Sequence, residues 1–214
     1  MERIICLAAG YVFGLFQTGF IYGKMHGIDI RRHGSGNSGA TNTLRVLGKK
    51  AGAIVFFGDA LKALIPCTVL RIVLSGSAEY AGMAYLLMLY LGFGVILGHN
   101  FPFYMNFKGG KGIAATAGLV ASMDWRLTLV CAVVFLGAVI LTRFVSLGSI
   151  LVAVAFFAVN FFLSWKGEYG LDAGLLPEFW VLLGAVSLMA IWRHKANIKR
   201  LLAGNENKLW GKKE

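Results

Sequence analysis

The sequence predicts an all-α, polytopic membrane protein with seven transmembrane segments, and three observations carry that reading. Of 214 residues, 57% are hydrophobic and 14% charged, against roughly 45–50% and about 25% in an ordinary soluble domain. The mean hydropathy is +0.70. The apolar residues gather into long runs separated by short polar loops, as in a chain that crosses a bilayer repeatedly. Too few polar side chains remain to cover a water-facing surface, which excludes soluble, disordered and fibrous classes.

The first run, 4–23, follows Arg3 and is itself followed by Lys24, Arg31 and Arg32. Positive charge after the run, with no convincing cleavage site, describes a retained span and not a secretory leader. Residues 51–74 form the second span. It carries Asp59 and Lys62 on one helix face, either as an ion pair that fixes packing or as a functional polar site. Residues 80–97 form the third. The fourth candidate, Ile113–Met123, is rich in Gly and Ala and shorter than the roughly 17–25 residues of a lipid-facing span. Residues 127–142, 147–165 and 176–192 complete the set.

Charge decides whether the short segment crosses. With the N-terminus outside and seven crossings, most cations fall on one side: the loop after the first span, Lys108 and Lys111, Arg143, and the C-terminal residues. Without the fourth crossing that asymmetry disappears, so the positive-inside rule favours a short crossing surrounded by protein, N-out and C-in. The whole chain, 1–214, reads as one membrane-embedded domain whose residues 193–214 form a basic cytoplasmic tail. No internal repeat supports a secondary transporter. The net charge of +11 suits membrane headgroups better than nucleic acid. Cys6, Cys67 and Cys131 lie in apolar stretches without metal-like spacing and read as buried hydrophobes.

Three polar motifs carry the chemistry. In the first, Gly34, Gly36 and Gly39 spell a dinucleotide-like pattern, but no strand precedes it and no βαβ unit surrounds it. Closely spaced glycines still let backbone N–H groups converge on an anion. Ser35, Asn37, Ser38, Thr41, Asn42 and Thr43 add short donors, and Arg45 adds a planar fork. The second motif runs from Gly98-His99-Asn100-Phe101-Pro102 to Lys108-Gly109-Gly110-Lys111-Gly112. It ends where Ile113 opens an apolar helix, so glycines and lysine meet a helix N-terminus suited to an anion. The third motif closes the chain: His194 and Asn197 share a face, while Lys195, Lys199 and Arg200 suit headgroup contact. Two anion-binding loops on one side suggest two phosphorylated reactants; a membrane anion transporter or channel is the alternative.

Together these residues resemble the bacterial PlsY family, the acyl-phosphate:glycerol-3-phosphate acyltransferases. The likeness rests on GSGNSGATNTLR, GHNFP with FKGGKG, and RHKANIKRLLAGNENK, in that order. It implies a seven-helix enzyme of the bacterial inner membrane with a cytoplasmic active site. Acyl phosphate would be the donor, glycerol 3-phosphate the acceptor, and lysophosphatidate the product, in phospholipid synthesis. Family activity is linked to residues matching Ser35, Arg45, Gly109, Gly110, Lys111, Gly112, His194 and Asn197, with Glu206 in a structural role. No histidine here is followed five positions later by aspartate, so the acyltransferase motif that orients a histidine base is missing.

The expected site therefore places Ser35, Lys111, His194 and Asn197 in catalysis. Gly34, Gly36, Asn37, Gly39, Thr41, Asn42, Arg45, Lys108, Gly109, Gly110 and Gly112 would bind substrate. No metal, cofactor or obligate protein partner is expected; the substrates and membrane lipids are the expected partners. Acyl phosphate is already activated, so direct attack by the acceptor hydroxyl is expected, without an acyl-enzyme. His194 or the substrate's own phosphate would take the proton. The phosphate is preferred, because neighbouring cations oppose protonation of His194.

Overall fold

The computed structural model describes residues 1–210; Lys212 and Lys213 of the basic tail lie outside them. Among the described residues all regular structure is helical: α1 (Glu2–Gly14), α2 (Thr18–Met25), α3 (Ala40–Leu47), α4 (Lys49–Ser75), α5 (Ala84–Asn100), α6 (Ile113–Met123), α7 (Trp125–Thr142), α8 (Val145–Trp165), α9 (Leu176–Arg193) and α10 (Lys195–Leu202). Six stretches are long and apolar enough to cross a membrane, and Ile113–Met123 is a shorter apolar helix. The chain divides into two compact units: residues 1–123 with 170–172, and residues 124–169 with the chain from 173 onward.

In the first unit the expected continuous span over 4–23 is interrupted. α1 ends at Gly14 and α2 starts at Thr18. Side chains take over the freed backbone groups, which makes an interruption tolerable away from water. Lys62 Nζ donates to the carbonyls of Gly14, at 3.3 Å, and Phe16. Asp59 Oδ1 accepts from the hydroxyl of Thr18 at 3.0 Å and more weakly from its N–H at 3.4 Å. A cation thus meets the C-terminus of α1 and a carboxylate the N-terminus of α2, as the helix dipoles favour. Buried Gln17 adds a bond to the carbonyl of His99 at 3.0 Å.

α1 and α5 cross almost in backbone contact. A Cβ on Gly10 would strike the carbonyl of Leu91, one on Gly14 that of Val95, and one on Gly98 that of Tyr11. Small residues four apart on both helices allow this approach, the packing mode typical of membrane helices. α6 is short because protein surrounds it: α4 and α5 cover most of its length. Its last carbonyls accept from Arg71 Nε (to Ser122, 3.0 Å) and Tyr85 OH (to Met123, 3.3 Å). These donors complete a helix end that has no continuing turn.

In the second unit a left-handed residue, Arg143 (φ 64°), joins α7 to α8. Asp124 accepts from the N–H of Arg126 at 2.7 Å, and Arg126 also bridges to Glu168. Guanidinium contact holds the Asp124 carboxyl below its ordinary range. Tyr169 donates to Asn160 Oδ1 at 2.7 Å, and Trp180 Nε1 to Ser164 at 3.0 Å. The three cysteines are buried free thiols, as their apolar settings suggested.

Candidate active site

The first glycine-rich loop is built around a side chain. Asn42, on the first turn of α3, is buried, and its Oδ1 accepts from the N–H of Ser35 at 2.7 Å. Its Nδ2 lies 3.2, 3.0 and 2.8 Å from the carbonyls of Ile30, His33 and Asn37. Gly34 has φ +59°, and a Cβ there would collide with Asn42 Oδ1. Left-handed geometry and close approach together require glycine at this position. Before the loop, Asp29 forms a bidentate pair with Arg31, whose guanidinium holds the Asp29 carboxyl well below the usual carboxylate range. Arg31 also lies over the ring of Phe20 on α2, 4.8 Å from its centroid.

This arrangement sorts the residues of the first motif. Asn42 is a strut within the loop, and Asn37 Oδ1 turns back on the N–H of Gly39 at 2.9 Å. The N–H of Gly36 is spent on the carbonyl of His33. Two of the amides expected to face an anion therefore hold the loop's own shape. Ser35 stands exposed at the tip, while Thr41 and Arg45 on α3 are half-buried.

The second loop is anchored on the end of α5. The N–H of Gly109 donates to Asn100 and that of Gly110 to His99, each at 3.1 Å. These amides, too, hold the loop's own shape. Asn106 and Phe107 adopt left-handed backbone, φ 52° and 58°, a conformation that costs a non-glycine residue roughly 1–2 kcal/mol. The turn delivers exposed Lys108, then half-buried Lys111 and buried Gly112, to the start of α6. Thr116 closes the first turn by bonding the carbonyl of Gly112 through both N–H and hydroxyl. The fully buried Asn100 side chain, whose amide atoms have no hydrogen-bond partner among the described residues, lies beside Gly112. The sequence reading gave Asn100 no role.

The third motif lies in the second unit. His194, 3% exposed, caps α9 and precedes α10. Its Nδ1 is 2.8 Å from the carbonyl of Ala190. A carbonyl only accepts, so Nδ1 carries a proton and donates it to that carbonyl. Asn197 Nδ2 donates to Glu206 Oε1 at 2.8 Å, and Arg200 Nε to Glu206 Oε2 at 2.8 Å. Glu206 thus fixes the face of α10 that presents Asn197. Arg200, expected at the headgroups, is paired within the chain through its Nε. Lys195 lies over the ring of Trp192, 4.8 Å from its centroid.

The first two motifs are brought into one unit. The backbone of α2 touches the first loop at Gly19, where a Cβ would meet the carbonyl of Ser38. α2 is tied to α4 by Asp59, and α4 to α5 by a 2.8 Å contact between Lys62 Nζ and His99 Nδ1. The sequence placed Asp59 and Lys62 together but not His99. The signal for His99 was its position just ahead of the second loop.

Comparison with known proteins shows the family to which these motifs belong. Residues 4–204 match the family model described as glycerol-3-phosphate acyltransferase. A glycerol-3-phosphate acyltransferase from Halalkalibacterium halodurans is 38% identical over 214 residues, covering 98% of this chain and 97% of the relative. One from Alkaliphilus metalliredigens is 42% identical over 213 residues, covering 98% and 97%. The crystal structure of PlsY (YgiH), an integral membrane glycerol 3-phosphate acyltransferase, in its glycerol 3-phosphate form matches with a TM-score of 0.82. Identity there is 32%, covering 99% of this chain and 96% of that one. Its lysophosphatidic acid form matches with a TM-score of 0.79, also at 32% identity, covering 97% and 95%.

Proposed function

We propose, because the chain belongs to the glycerol-3-phosphate acyltransferase family, that its acyl donor is a fatty acyl phosphate and that the product, lysophosphatidate, enters phospholipid synthesis. The observation that carries the choice of donor is the setting of His194. Its Nδ1 is bonded to a backbone carbonyl, and the carboxylate of the same motif, Glu206, is committed to Asn197 and Arg200. A histidine base oriented by a local carboxylate, the usual means of activating a hydroxyl against a sluggish donor, is not what this motif builds. An acyl phosphate needs less help, because it is a mixed anhydride with phosphate as leaving group.

The chemistry then reduces to holding two anions and offsetting their repulsion. Arg45 and Lys111 neutralise phosphate charge, with Lys108 adding to the field. The N–H groups leading from Gly112 into α6, and the tip of the first loop around Ser35, supply hydrogen bonds. Ser35 orients the acceptor hydroxyl, which attacks the acyl carbon. The carbon–oxygen bond to phosphate breaks, and phosphate leaves with the bonding pair. The substrate's own phosphate, with a second pKa near 6 like that of a phosphorylated side chain, takes the hydroxyl proton. His194, beside Arg193 and Lys195, is left a positioning role.

The cation distribution supports an N-out, C-in orientation in the bacterial inner membrane, with the motifs on the cytoplasmic side and the acyl chain remaining among the spans. The chain acts as one membrane-embedded domain ending in the basic tail 193–214. An anion channel would need a polar path, whereas Thr18, Asp59, Lys62 and His99, polar side chains within the first unit, bond one another. A donor panel with purified protein and glycerol 3-phosphate tests the reading. Lysophosphatidate should form with acyl phosphate and not with acyl-CoA or acyl carrier protein; the reverse preference would overturn it.

A further inference from the structure

We propose that Asp59, Lys62 and His99 are positioning residues for acyl transfer: they lock the interrupted first span to the second glycine-rich loop and so fix the two loops relative to each other. All three are buried, with side chains 1%, 7% and 4% exposed. Lys62 Nζ contacts Asp59 Oδ1 at 3.0 Å, His99 Nδ1 at 2.8 Å, and the carbonyls of Gly14 and Phe16. An ammonium only donates, so His99 Nδ1 accepts and its proton sits on Nε2.

That tautomer faces Gly110. A Cβ on Gly110 would land on His99 Nε2, and the N–H of Gly110 donates to the carbonyl of His99 at 3.1 Å. Ring and backbone of one residue therefore grip the position directly before Lys111. At the other end Asp59 accepts from Thr18, and the next residue, Gly19, abuts Ser38 of the first loop. An unbroken line of contacts runs from the first loop through α2, Asp59, Lys62 and His99 to Gly110, all within one unit.

Stability alone gives little reason for such a cluster. A buried ion pair often stabilises no more than well-packed apolar residues would. What a fully bonded polar network supplies is one fixed geometry. Here that geometry holds Ser35 and Arg45 in register with Lys111. The proposal rests on the assigned transferase reaction but not on its donor, because turnover is measured with whichever donor the panel selects.

The test is a double-mutant cycle between His99→Ala and Gly110→Ala, reading kcat and the KM for glycerol 3-phosphate per mole of folded enzyme. His99→Ala should lower kcat/KM on the order of 10–100-fold, the scale expected of a small misplacement. Gly110→Ala should be at least as damaging alone. Added to His99→Ala it should cost nothing further, because its methyl enters the space the ring has left. Losses that multiply independently, or wild-type kcat and KM in His99→Ala, would overturn the proposal. If His99→Ala does not fold, Lys62→Arg and Lys62→Met decide: arginine, which keeps the charge and donors, should recover at least half the activity that methionine loses. Equal kinetics in the two would overturn it. Tyr169→Phe provides the contrast, with a lower melting temperature and unchanged KM.

Discussion

Oδ1 of Asn42 accepts a 2.7 Å hydrogen bond from the backbone N–H of Ser35, seven residues earlier. The same side chain bridges three carbonyls through its nitrogen, so the first loop is shaped from inside. An aspartate would set a second oxygen against those carbonyls, whereas alanine would only remove the strut. Asn42→Asp should therefore lower the melting temperature in detergent more than Asn42→Ala. Each leaves buried polar groups without partners, at about 1–3 kcal/mol apiece. Equal melting temperatures in the two variants would show that the loop does not depend on the donated bonds.

Arg45 is assigned a planar, bidentate hold on phosphate, which lysine cannot reproduce. Arg45→Lys should raise the KM for glycerol 3-phosphate strongly or abolish activity, despite keeping the charge. Lys111→Ala should be comparably damaging. Steady-state kinetics check both, and near-wild-type constants in both variants would remove the anion-binding roles.

Glu206 holds Asn197 with one oxygen and Arg200 with the other. Glu206→Gln keeps an acceptor for Asn197 but loses the charge that Arg200 pairs with. It should retain more activity than Glu206→Ala, and Arg200→Ala should resemble Glu206→Gln. An Ala variant as active as the Gln variant would contradict a role for Glu206 in presenting Asn197.

Orientation is open to direct labelling in protein lacking Cys6, Cys67 and Cys131. Gly174 and Ala203 are exposed, and neither requires left-handed backbone. A cysteine at Gly174 should react with an impermeant thiol reagent in intact cells, and one at Ala203 only after permeabilisation. The opposite pattern would remove the short fourth crossing.

The parts of this fold legible in the sequence were those recorded locally. Ile113–Met123 stood out because glycine and alanine replaced leucine in a short apolar run, and the cations on either side argued that it crosses. The interruption at residues 15–17 was not legible, because one buried Gln17 barely lowers a hydropathy average. What permits the break, Lys62 and Asp59, lies on another helix. The motifs were plain, but not the division of labour within them. Nothing in the spacing of Asn42 and Ser35, or of Gly110 and His99, separates amides that face a ligand from amides that hold the loop. The Glu206 tie to Asn197 matched the structural role that the family resemblance implied.

The most direct test of the account is the time course of phosphate release from acyl phosphate by the purified protein, with and without glycerol 3-phosphate. The account predicts phosphate and lysophosphatidate in one-to-one ratio when the acceptor is present. Without it there should be no release, not even a burst equal to the enzyme concentration. A burst without acceptor would show an acyl-enzyme and contradict direct attack, and sustained release without lysophosphatidate would contradict the transferase assignment itself.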